Sequence, residues 1–158
     1  MSSWLPFFVW CDNTRVAVTI RDSRVLFPII ETFHLFALTI LLGTTIVVSL
    51  RLLGATLHRQ PLAELAAELA PWTNGSIVVM VASGVLLFAS EALKCYGSFA
   101  FRAKMVLLVA ALVFHATVFR SVSRAEESSL VWRRIAGAGA LALWFGVGLA
   151  GRGIAFLE

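Results

Sequence analysis

Along the 158-residue chain the apolar residues gather into four long runs separated by short polar stretches. The first, LFPIIETFHLFALTILLGTTIVVSLRLL, covers about 26–53, and the others about 75–93, 101–120 and 135–156. Each approaches the ~20 residues that an α-helix needs to cross a hydrocarbon core of about 30 Å. Backbone in lipid must satisfy its own hydrogen bonds, so the runs predict helices. Pro28 suits a first helical turn and Gly54 suits the end of the same helix. The expected fold is all-α: an integral membrane four-helix bundle forming one membrane domain over residues 1–158.

Shorter apolar segments flank these runs. Residues 4–20 are interrupted by Pro6 and by polar positions but carry Trp4, Phe7, Phe8 and Trp10, so residues 1–24 read as an aromatic-anchored N-terminal interfacial segment. The N-terminus shows no basic leader and no small-residue cleavage site, and the first span is expected to direct insertion. In QPLAELAAELAPW, Leu62, Leu65 and Leu69 share one face and Glu64 and Glu68 another. That spacing predicts a short interfacial helix started by Pro61 and ended before Pro71. The brief LKCYGSF loop predicts a tight antiparallel hairpin of the second and third spans.

Composition removes the soluble alternative. Hydrophobic residues make up 59% of the chain and charged residues 14%, with mean hydropathy +0.89, against a usual apolar share of roughly 45–50%. The net charge of +4 comes from basic residues between and at the ends of the runs, a pattern that suits lipid headgroups and not nucleic acid. Four spans put both termini on one side, here side A. Seven Lys and Arg fall on side A and six on side B, a balance that sets no orientation. Cys11 and Cys95 belong to no CxxC, CxxCH or Cys/His pattern, which argues against a zinc site and covalent haem attachment.

Ionisable residues within the runs carry the candidate chemistry, because one at mid-bilayer costs on the order of 2.5–3.5 kcal/mol. Glu31 and His34 share a face of the first span, so Glu31 is a ready hydrogen-bond partner for the ring. Lys104 and His115 lie eleven residues apart, close to three turns, on one stripe of the third. Glu31, His34, Glu91, Lys104 and Arg152 are expected to converge near side A. By helical rise His34 lies roughly 10 Å inside the side A boundary and His115 roughly 20 Å, so the two do not share one haem. Each instead suits a separate haem, with a further ligand from elsewhere, such as His58 or a second chain. Lys104, Arg102 and Arg152 suit propionates. The bland readings are a histidine bonded to a carbonyl or carboxylate, snorkelling cations, and back-bonded hydroxyls at Thr44, Thr45 and Ser83. In the fourth span Ala138, Ala142, Gly146 and Ala150 recur every four residues beside Gly139 and Gly151, a small-residue stripe that predicts a homo-oligomer through this helix.

The segments IRDSRVLFPIIETFHLFAL, SLRLLG, PWTNGSIVVMVASGVLLFASEA, FHATVFRSV and AGRGIAF together resemble an uncharacterised bacterial family of four-helix inner-membrane proteins of unknown function. The likeness covers nearly the whole chain. It singles out Arg21, Glu31, His34, Arg51, Trp72, His115 and Arg152, and implies a multi-pass protein of the bacterial inner membrane. Ser49 stands where that family usually has an aspartate. A looser similarity in kind, resting on helix count and one histidine, links the chain to small four-helix membrane haem proteins, including the protoporphyrinogen-oxidase-like group.

These observations lead to the expectation of a membrane b-type cytochrome. Haem b, more than one per chain, would be held by His34 and His115 as iron ligands, and electrons would pass within the bilayer to or from quinone or another redox partner. An enzyme of this kind would be a quinone-linked oxidoreductase. The competing expectation is a cofactor-free small-solute or proton-coupled transporter, or a structural membrane protein.

Overall fold

A computed structural model describes residues 4–55, 61–125 and 128–157, with side chains as far as Gly153. His58 lies outside the described residues. Two short helices, α1 (Leu5–Asp12) and α2 (Arg15–Asp22), lead into α3 (Leu26–Leu52). The chain continues through α4 (Leu62–Ser90), α5 (Ala92–Gly97) and α6 (Phe99–Phe114). A π-helical turn (His115–Phe119) follows, then α7 (Arg120–Arg124) and α8 (Leu130–Leu157). The α6, π-turn and α7 segments form one continuous span, Phe99–Arg124. With α3, α4 and α8 it gives four helices long and apolar enough to cross a membrane. Outward residues such as Phe36, Val78, Val106 and Leu149 are exposed on the bundle, so the helices turn apolar faces to the lipid. The chain is a multi-pass membrane protein with an all-α bundle fold.

Local sequence accounts for the helix boundaries. Gly54 takes φ +75°, while the amides of Gly54 and Ala55 donate to the Arg51 and Leu50 carbonyls. These bonds form a Schellman motif, whose left-handed residue glycine adopts without steric cost. The Thr14 hydroxyl caps α2 and Ser98 caps α6, accepting from the amides of Ala17 and Phe101.

The expected interfacial helix ending before Pro71 is not a separate element. Helix α4 runs straight through Pro71. The stripe Leu62, Leu65, Leu69, Thr73, Ser76, Met80 and Ser83 keeps one phase on both sides of the proline. Leu62 packs with Val48, Leu52 and Phe119, and Met80 with Ala37, Leu41 and Trp144. Breaking the helix would forfeit one of these contact sets, which outweighs the single bond that Pro71 cannot donate.

Helix α3 packs against α4 and α8, and α6 packs against α8. The second and third spans, expected as a tight hairpin, meet mainly at their two ends. Helix α4 meets α7 on side B, but towards side A it approaches α6 through ring contact, with Phe88 and Phe101 stacked at 5.3 Å. The connection is occupied by α5, which packs on α1. Phe8 of α1 contacts both Phe88 and Tyr96, and Arg21 pairs with Asp12 at 2.8 Å. The N-terminal helices thus cap the side A end of the bundle.

Candidate functional site

Polar side chains inside the spans form two groups at different depths. The first centres on His34, whose Nδ1 lies 2.9 Å from the Ser83 hydroxyl of α4. Ser83 has one proton, and the Val79 carbonyl at 2.6 Å takes it. His34 therefore donates through Nδ1–H, with the Met80 carbonyl as a further acceptor for the ring. The Nε2 lone pair is left for a Lewis acid or a proton. Gly84 makes room for this placement: a Cβ there would stand 3.3 Å from His34 Cε1.

Lys104, on α6, lies within electrostatic reach of the His34 ring. Its stem rests on Gly151 of α8, where a Cβ would stand 3.5 Å from both Cε and Nζ. Among the described residues Lys104 makes no ion pair. Phe88 and Phe101 stack about one helical turn nearer side A and shield this level from that surface.

The second group surrounds His115, the first residue of the π turn, a deformation that is frequent at functional positions. The ring is 7% exposed, stacks on Phe119 at 5.1 Å and meets the edge of Trp144 at 6.4 Å. Among the described residues its Nδ1 has no hydrogen-bond partner, and neither does the buried Ser123 hydroxyl. Both line a cavity of about 40 Å³ with Thr44, Thr73, Arg120 and Arg124. Thr73 bridges α4 to α3 through Thr44 at 2.9 Å.

Of the five residues expected to converge near side A, the structure brings together His34 and Lys104. Glu31 is exposed, and His34 is held by Ser83 instead of by that carboxylate. Glu91 pairs with Lys94 in the turn after α4. Arg102 and Arg152 are exposed near the side A ends of α6 and α8, with Arg152 next to the Gly151 that supports Lys104. Eleven residues of α6 and its π turn separate Lys104 from His115, about 16 Å of helical rise, so the two histidines occupy different levels. Sequence reading took Ser83 as a back-bonding hydroxyl. It is one, but its second role as partner to His34 depends on helix packing, and the glycine beside it was the only local hint.

Gly139 and Gly146 of α8 pack against side chains of the same chain. A Cβ on Gly139 would meet Phe114 Cζ at 2.7 Å, and one on Gly146 would meet Leu107 at 3.4 Å. Ala138 and Ala142 are exposed.

The chain belongs to DUF6644, a family of unknown function. The match covers residues 7–157, and so includes both histidines and all four spans. No curated protein and no solved structure matches this DUF6644 chain.

The donor set gives a direct test of the haem expectation. Around His34 the residues fit: an imidazole nitrogen with its lone pair left over, a hydrogen bond on the opposite nitrogen of the kind that raises ligand basicity, and a nearby ammonium for a propionate. Around His115 they fit poorly. The cavity there has room for about three water molecules. Among the described residues no group of three or more His, Cys, Asp or Glu gathers into a bare metal centre.

Proposed function

We propose that this DUF6644 protein is a membrane b-type haem protein of the bacterial inner membrane, with one haem per chain at His34. The observation that supports the reading is the pairing of two polar side chains at one level. His34 keeps the Nε2 lone pair, while Lys104 is a cation without an acidic partner among the described residues. A lone ammonium within a span is costly. Haem b would relieve that cost, with Lys104 holding a propionate and His34 serving as a ligand to the iron.

Bound haem supplies one-electron chemistry, and its potential follows from ligand, hydrogen bonding and burial. The protein residues set those three quantities. Ser83 and Gly84 fix the His34 ring, Lys104 provides positive charge, and Phe88 and Phe101 exclude water from side A. Arg102 and Arg152 supply further positive charge at the rim. The natural partners are a lipid-soluble quinone or another membrane redox carrier, and a second copy of the chain packs against the Ala138 and Ala142 edge of α8.

The test is the absorption spectrum of protein purified in mild detergent from haem-replete cells. The expected result is a Soret band that shifts on dithionite reduction, with a pyridine haemochrome of the b type. A colourless preparation would sink the proposal and leave the proton-coupled or structural reading.

A further inference from the structure

The π turn places chemistry on side B that the haem reading does not use. His115 Nδ1 and Ser123 Oγ are buried, lack hydrogen-bond partners among the described residues and line the same cavity. A buried polar atom left without a partner costs on the order of 1–3 kcal/mol, so two facing one cavity mark a place where a ligand atom belongs. Arg120 and Arg124, both exposed, line that cavity, and among the described residues no carboxylate lines it. The volume of about 40 Å³ suits one small anionic group and not a whole metabolite.

Next to the cavity lies a shallow apolar groove on the lipid-facing side of α3 and α4. It is lined by Ile40, Val47 and Trp72, and it shares Thr44 and Leu69 with the polar cavity. A donor-rich pocket adjoining a lipid-facing apolar groove matches an amphiphile with an anionic head and a hydrocarbon tail.

We propose that the pocket formed by His115, Ser123, Arg120 and Arg124 binds the anionic head, a phosphate or carboxylate, of one membrane lipid whose acyl chain lies in the groove by Trp72. Ser123 donates its hydroxyl proton and His115 its Nδ1–H to the head-group oxygens. Arg120 and Arg124 contribute charge-assisted bonds. General attraction of anionic lipid to basic loops is the rival explanation, and it acts on every nearby arginine alike.

Native mass spectrometry of the whole protein separates the two. Phosphatidylglycerol and the phosphate-free lipid diacylglycerol are offered to wild type, Arg120→Gln, Ser123→Ala and Arg134→Gln, with each variant checked for an unchanged helical circular-dichroism spectrum. Arg134 is also exposed on side B but does not line the pocket, so its replacement removes the same charge without touching the site. The expected result is one retained phosphatidylglycerol per chain, binding weakened about tenfold by Arg120→Gln and several-fold by Ser123→Ala, with Arg134→Gln near wild type. Equal retention of the two lipids, or equal losses in Arg120→Gln and Arg134→Gln, would overturn the site. Retention of inorganic phosphate, with no lipid bound, when phosphate and phosphatidylglycerol are offered at equal concentration would assign the pocket to a free anion and overturn the lipid proposal.

Discussion

Replacing Ser83 with alanine removes the hydroxyl that lies 2.9 Å from His34 Nδ1 and leaves the ring with the Met80 carbonyl alone. The Val79 carbonyl loses its extra donor but keeps its place in the helix, so the term removed is the bond between α3 and α4. A buried hydrogen bond is worth about 0.5–1.5 kcal/mol, and polar contacts between membrane helices average about 0.6 with a maximum near 1.7. A loss of about 1 kcal/mol follows. For a chain of this size it lowers the thermal midpoint by roughly 2–4 °C. The assay is thermal unfolding in detergent, paired with nitrogen NMR of histidine-labelled protein in which His34→Gln assigns the resonance. The short Ser83–Val79 contact points to the Nδ1–H tautomer in the wild type. An Nε2–H tautomer at His34, together with an unchanged midpoint for Ser83→Ala, would refute the proton assignment on which the free lone pair depends.

Gly139→Ala forces a Cβ to 2.7 Å from Phe114, and overpacking of this kind costs about 1–3 kcal/mol, whereas Gly146→Ala meets Leu107 at an ordinary 3.4 Å and stays close to wild type in the same melts. Gly54→Ala, at φ +75°, loses about 1 kcal/mol, while Gly97→Ala, with open space around its Cβ, changes little. Pro71→Ala restores a donor to the Ala67 carbonyl within a continuous helix, so it holds or raises the thermal midpoint; a clear fall would contradict an unbroken α4. Asp12→Asn weakens a partly exposed ion pair by less than about 1 kcal/mol and speeds hydrogen exchange in α1 and α2 without affecting the spans.

Periodicity and end signals carried much of the fold. Apolar runs of membrane length gave the four spans, and Gly54 marked the end of the first because only a left-handed residue closes that motif cheaply. Pro71 misled because a proline weighs heavily in a local reading, while the stripe from Leu62 to Ser83 keeps its phase through it and is settled by contacts with three other helices. The separate levels of His34 and His115 followed from helical rise alone. Their partners did not. Ser83, Gly84, Phe119 and Trp144 meet the histidines through crossing geometry and a π turn, and neither has a signature in residue spacing. The α8 stripe was visible as small residues, but which neighbour those residues admit depends on rotation about the helix axis. Gly139 and Gly146 turned out to receive Phe114 and Leu107 of the same chain.

The most direct test of the account is haem stoichiometry in paired histidine variants, each purified as folded protein. The account predicts one b haem per wild-type chain, none in His34→Ala, and retention of the haem in His115→Ala with lipid binding on side B weakened. Haem kept by His34→Ala, or lost equally from both variants, would contradict it.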